Sequence, residues 1–85
     1  MKKIVMFTSP TCMPCRIVKP TLERLVDERG YVTETVDIFA NPDVASDFGV
    51  MSTPTFVLMD ELGTEMRRAV GAMTRPSLIK FYEGA

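Results

Sequence analysis

The chain is 85 residues long, with 46% apolar and 25% charged residues, and ten Lys and Arg against eleven Asp and Glu leave a net charge of −1. That length admits a single small core over residues 1–85, and the apolar share excludes a disordered chain. The near-neutral balance excludes a surface field able to hold nucleic acid or a membrane unaided. The sequence has no His and only two Cys, Cys12 and Cys15, so imidazole chemistry is excluded and any covalent chemistry converges on that pair.

The first element is the apolar run Lys3–Phe7, bounded by the turn-forming Thr8-Ser9-Pro10-Thr11. Continuous apolarity predicts a strand covered on both faces. The run is too short for a signal-peptide core of about 7–15 residues, and far too short to span a bilayer. A cytoplasmic setting, in which thiols stay reduced, is therefore expected.

Met13 to Arg29 carries a helical stripe of Ile17, Val18, Leu22, Leu25 and Val26, with Gly30 placed to cap its C-terminus. Pro20 lies inside this helix, removes one backbone bond and is expected to bend it. Glu23, Arg24, Asp27, Glu28 and Arg29 read as its solvated face.

Tyr31–Asp37 is β-rich and more polar, which predicts a less buried strand. Asn41-Pro42 opens a short helix through about Phe48, closed by Gly49. Thr55–Met59 is a second apolar strand, and Asp60-Glu61-Leu62-Gly63 turns it into a hairpin partner at Thr64–Val70. Thr74 can cap a last helix from about Pro76 to Tyr82, with Leu78, Ile79 and Tyr82 facing inward. The order β-α-β-α-β-β-α predicts an α/β fold. Its opening βαβ unit demands parallel strands and a right-handed crossover, and its closing pair is antiparallel. A four-stranded mixed sheet flanked by helices satisfies both.

Cys12-Met13-Pro14-Cys15 falls where the first strand passes to the first helix. At a helix N-terminus the unpaired N–H groups and the positive dipole end stabilise a thiolate, lowering its pKa from about 8.5 towards 7 or below. Cys12 is expected to be the exposed member and Cys15, one turn in, the less accessible one. Pro14 stiffens the turn, and Arg16 and Lys19 add positive charge. The Cys12 thiolate would attack a partner disulfide, and Cys15 would then displace the reduced partner, leaving Cys12–Cys15 oxidised, with no bound cofactor. Three other readings stay open. A structural disulfide closing so small a loop would add only about 2 kcal/mol. A zinc site would lack two of its four usual ligands within this chain, so no metal is expected. The pair could also be inert, in a redox-dead adaptor.

These residues resemble thioredoxins at the shortened size of glutaredoxins, from Ile4 to about Tyr82. Cys12-Met13-Pro14-Cys15-Arg16 is similar to the family's Cys-Gly-Pro-Cys followed by a basic residue, and Pro20 matches the proline of its active-site helix. Val36-Asp37 with Asn41-Pro42 resembles the exit of its second strand. Thr53-Pro54-Thr55-Phe56 resembles its cis-proline loop, and Val70-Gly71-Ala72 its glycine loop. The resemblance implies a thioredoxin fold, protein-disulfide reductase activity and recycling by a thioredoxin reductase that uses NADPH. Cys12 would be the nucleophile and Cys15 the resolver, with Thr53, Pro54, Gly71 and Ala72 beside Met13 and Pro14 in the substrate groove. A monomer acting on disulfide-containing proteins is expected.

The chain departs from that family where Thr11 replaces a tryptophan and Met6 replaces a buried aspartate. The aspartate is credited with deprotonating the resolving thiol, and water is the simplest substitute. The rival resemblance is to glutaredoxins, which implies a glutathione-dependent reductase or an electron donor to ribonucleotide reductase. Most of the charged contacts for glutathione are missing around Thr8-Ser9, Ser52-Thr53-Pro54 and Gly71-Ala72-Met73-Thr74. Seven Met is a high count. Met6 and Met59 suit core filling, whereas Met13, Met51 and Met73 are expected to form a soft apolar rim on the groove.

Overall fold

In the computed structural model, which describes residues 1–84, four strands and three helices follow one another in the expected order. They are β1 (Lys3–Thr8), α1 (Met13–Arg29), β2 (Thr33–Asp37), α2 (Pro42–Asp47), β3 (Thr55–Met59), β4 (Glu65–Val70) and α3 (Arg75–Glu83). The sheet order is β2-β1-β3-β4, with β1 parallel to β2 and antiparallel to β3, and β4 antiparallel to β3. Strand register pairs Thr8 with Asp37, Phe7 with Thr55, and Thr55 with Val70. One end of the sheet therefore gathers the exits of β1, β2 and β4 and the entry to β3.

The apolar run of β1 is explained by period-two alternation between two covered faces. Ile4 and Met6, with Phe56 and Leu58 of β3, meet Val18, Leu22 and Leu25 of α1 and Leu78, Phe81 and Tyr82 of α3. Val5 and Phe7, with Val57, point the other way and meet Val36, Ile38, Phe48 and Val50. Phe7 and Phe48 lie tilted, ring centroids 5.2 Å apart.

Local chemistry sets the element ends. Gly30 adopts φ 68°, a left-handed conformation that suits glycine, and its N–H donates to the Val26 carbonyl at 3.0 Å. Thr74 caps α3 by accepting from the Ser77 N–H at 3.3 Å. In the β3–β4 turn, Asp60 Oδ1 accepts from the N–H groups of Leu62 and Thr64. The charged face of α1 is solvent-exposed, and two of its members reach α3: Glu28 pairs with Arg75, and Arg29 pairs with Glu83.

One inward assignment needs correction. Ile17 does not share the stripe of α1; it is 69% exposed, while Cys15, Val18, Leu22 and Leu25 form the buried stripe at spacings of three and four. An apolar residue adjacent to the stripe is about 100° off it, and no element packs there. On α3, Leu78 and Tyr82 are buried as expected and Ile79 is half-buried against the same core, which also takes in Phe81.

The far end of the molecule is closed by an aromatic pair. Tyr31 and Tyr82 stack with centroids 3.9 Å apart, the Tyr31 hydroxyl donates to Glu83, and the Tyr82 hydroxyl donates to the Lys2 carbonyl. Burial, with the Glu83 carboxylate accepting its proton, pushes the Tyr31 pKa up to about 12, above the ordinary 10.0. A raised folded-state value means the unfolded chain ionises first. The contribution is whole below pH 10 and is lost as pH rises from 10 to about 12. Urea melts at pH 8 and pH 11.5 should show this loss, and Tyr31→Phe should remove much of it. An unchanged slope in the variant would exclude Tyr31 as its source.

Candidate functional site

The strand-to-helix junction places the cysteines. Thr8 ends β1, the loop turns through the Cys12 N–H donating to the Ser9 carbonyl at 3.2 Å, and Cys12 becomes the N-cap of α1. Its side chain does what a Ser or Asp oxygen usually does there: Cys12 Sγ accepts the backbone N–H of Cys15 at 3.2 Å. Pro14 occupies the first turn, where its missing N–H costs no helical bond. Cys12 and Cys15 are joined by a disulfide, with Cα atoms 5.3 Å apart.

The expected exposure of Cys12 needs correction. It is 7% exposed against 3% for Cys15, so both sulfurs are largely covered and Cys12 is the more open by a small margin. The cover comes from the core itself, since both belong to the apolar cluster that holds Met6 and Phe56. The basic side chains expected nearby are both exposed, but Arg16 is engaged, donating to the Pro10 carbonyl at 3.0 Å.

Three loops meet at this end of the sheet. The Thr53–Pro54 peptide is cis, and Pro54 is buried. The Gly71 N–H donates to the Pro54 carbonyl at 2.8 Å, which ties the glycine loop to the proline loop. Gly71 stands at φ 99°, a conformation that strains any residue with a Cβ. Ser9 and Thr53 hydroxyls lie 3.2 Å apart and share a hydrogen bond between the cysteine loop and the proline loop. Thr55 Oγ1 donates to the Ser52 carbonyl at 2.7 Å and fixes the entry to β3. Ser9 enters the site only through this contact, and a lone hydroxyl in a turn carries no signal of a partner 44 residues away.

The methionines divide. Met13 is 60% and Met51 96% exposed, whereas Met73 is half-buried against the core that contains the cysteines. Ala72 and Thr11 are exposed, and Met6 is fully buried.

Among the described residues no Asp or Glu is buried, and the buried polar side chain is Thr55. NMR titration of the oxidised and reduced forms should therefore show no Asp or Glu whose pKa moves by more than about one unit between them. Such a carboxylate, if observed, would restore a protein-borne base for Cys15. Among the described residues, no group of three or more His, Cys, Asp or Glu is arranged to hold a metal ion. A hollow of about 420 Å³ lies away from this site on the other sheet face, lined by residues including Val5, Val36, Phe48 and Met59. It contains neither cysteine.

A family model described as Thioredoxin matches residues 1–84. The chain is similar to the thioredoxin of Chlamydia muridarum, 42% identical over 78 residues that make up 91% of this chain and 76% of that one. It is similar to the thioredoxin of Mycolicibacterium smegmatis, 37% identical over 81 residues, with 91% and 71% covered. Among solved structures it is similar to Fasciola hepatica thioredoxin, with a TM-score of 0.89 and 30% identity over 98% of this chain and 79% of that one.

Proposed function

The chain belongs to the thioredoxin family and is a thiol-disulfide oxidoreductase working through Cys12 and Cys15, and from that premise we propose the role of each residue. Cys12 is the attacking thiol and Cys15 the resolving one. In the reduced protein, Cys12 leaves its proton to solvent, and its thiolate is favoured by the N-terminal dipole of α1 and the Cys15 N–H. It attacks one sulfur of a partner disulfide, forming a mixed disulfide and releasing the other sulfur as a thiolate. Cys15, deprotonated through water, attacks Cys12 Sγ, forming the Cys12–Cys15 bond and releasing the second partner thiolate. Two electrons pass to the partner, and each of its thiolates takes a proton from water.

Thr53, Pro54, Gly71 and Ala72, with Met13, Pro14, Met51 and Met73, line the groove that holds the partner chain. The hydrogen bonds joining Ser9 to Thr53 and Gly71 to Pro54 support this grouping. A thioredoxin reductase, drawing on NADPH, returns the pair to the dithiol in the cytoplasm. The observation that carries the reading is the disulfide at a helix N-cap whose sulfur accepts a helix N–H.

Insulin reduction should proceed with NADPH and thioredoxin reductase, and vanish in Cys12→Ser. Efficient recycling by glutathione and glutathione reductase alone would move the protein to the glutaredoxin reading. Among the described residues, no helix is long and apolar enough to cross a membrane.

A further inference from the structure

The net charge of −1 conceals a segregation. Residues 30–66 hold seven of the eleven acidic side chains and neither Lys nor Arg, and the rest of the chain holds all ten basic side chains with four acidic ones. The acidic stretch builds β2, α2 and β3, and the basic remainder builds α1 and α3.

The two sheet faces are also unequally covered. α1 and α3, of 17 and 9 residues, pack on one of them. The other carries α2, whose six residues rise about 9 Å against strands of about 17–20 Å. The hollow of about 420 Å³ lies where α2 stops short. Val5 and Val36 floor it, and Val44 of α2 and Phe48 just after it form a wall. Apolar side chains stand in water around it. Val44 is 38% exposed, Met1 78%, and Leu62, between the lining residues Glu61 and Gly63, 87%.

The charges on this face do not balance. Lys3 pairs with Glu34 at 2.8 Å, and the Met1 amine pairs with Glu61 at 3.0 Å. Arg68, level with Val57 and Val5 across the sheet, is held by both oxygens of Glu65. Asp60 accepts from the N–H groups of its own turn, and Asp37 from those of Phe39 and Ala40. Asp43 and Asp47, exposed on α2 to either side of Val44, join no ion pair among the described residues. Seven carboxylates therefore stand against three cations, and each cation is already paired.

An apolar hollow under an acidic rim takes a segment that is apolar on one side and basic on its flanks. A helix is the element that completes the cover of a sheet face. We propose that this face is a second interaction surface, separate from the redox groove, which docks a basic amphipathic helix of a partner protein. The apolar stripe of that helix enters the hollow, and its Lys or Arg side chains meet the acidic rim. Both cysteines stay free, because they lie on the other face in the cluster beneath α1. The carboxylates also steer the approach, so docking weakens with salt.

The test titrates the protein into a synthetic helical peptide of about 18 residues, five turns, with Leu on one side, Lys on the other and a single Trp. The chain has no Trp, so the peptide's emission reports binding. Binding should saturate at one peptide per chain and weaken severalfold between about 50 mM and roughly 300 mM salt. Amide shifts should move at Val36, Val44, Phe48 and Met59. Val44→Lys should raise the Kd by about tenfold and Glu61→Lys severalfold, because each puts a cation where the peptide brings its own. Glu23→Lys makes the same charge change on the exposed side of α1 and should leave the Kd unaltered. All three positions are exposed, so circular dichroism should show the folded spectrum, and insulin reduction should be unchanged in each variant and with the peptide bound. The same peptide with Glu for Lys, and a scrambled one without the Leu stripe, should bind at least tenfold more weakly. The proposal is overturned by no saturation below about 1 mM peptide, by equal binding of the scrambled peptide, or by a Kd unmoved in Val44→Lys. Shifts centred on Cys12 and Gly71 would assign the peptide to the redox groove instead. Sedimentation showing that the chain alone dimerises, and that Val44→Lys abolishes the dimer, would make a second copy the occupant and overturn it as well.

Discussion

Cys15→Ser is expected to turn the protein from a turnover reductase into a covalent trap. The first step needs the Cys12 thiolate, and what stabilises that thiolate is a backbone N–H, that of residue 15, which the substitution keeps. The second step needs a thiol one helical turn inside, and serine cannot displace a disulfide sulfur. Turnover of insulin should fall by roughly a thousandfold or more, to the background of the uncatalysed exchange. A stoichiometric adduct should appear on non-reducing gels and disappear with dithiothreitol. Cys12→Ser should give neither turnover nor adduct. Near wild-type turnover by Cys15→Ser would refute the resolving role, and an adduct formed by Cys12→Ser would reverse the two roles.

Phe56→Ala should have the largest effect on stability. Phe56 is fully buried, lies on the central strand β3 opposite Met6 and Ala69, and packs in the cluster that holds both cysteines. Its truncation should cost about 3–5 kcal/mol, because the space is shared by a sheet and two helices that cannot all collapse inward. A chain of this length has a total stability of about 4–13 kcal/mol. At about 4–8 °C per kcal/mol, the thermal midpoint should drop by at least about 12 °C, and a protein at the low end would be unfolded at room temperature. The redox site should loosen with it, since Phe56 belongs to the core beneath the disulfide. Phe56→Leu keeps most of the volume and should cost less than about 1.5 kcal/mol. Thermal and urea melts of both variants decide the matter. A loss within about 1 kcal/mol for Phe56→Ala would mean this core can repack, contrary to its described closeness.

Much of this was legible in the chain because it is written in short-range patterns. The continuous apolarity of β1, the cap at Gly30, the turn at Asp60 and the cap at Thr74 each depend on a few neighbouring residues. The element order follows from them, and with it the crossover that makes β1 and β2 parallel. The spacing of Cys12 and Cys15 at a strand-to-helix junction likewise places one cysteine at the helix N-terminus and the other one turn inside.

The tertiary structure decided what depends on distant neighbours. Ile17 is as apolar as Val18, and only the absence of a packing partner on its side leaves it exposed. Cys12 looked accessible from its loop position, yet the core that includes Met6 and Phe56 covers it. Ser9 meets Thr53, and Gly71 meets Pro54, because the sheet register brings those loop ends together. Length, composition and the cysteine pair determined the kind of chemistry. Which side chains stand around it follows from packing, because each such contact joins residues too far apart in the chain for any local pattern to encode.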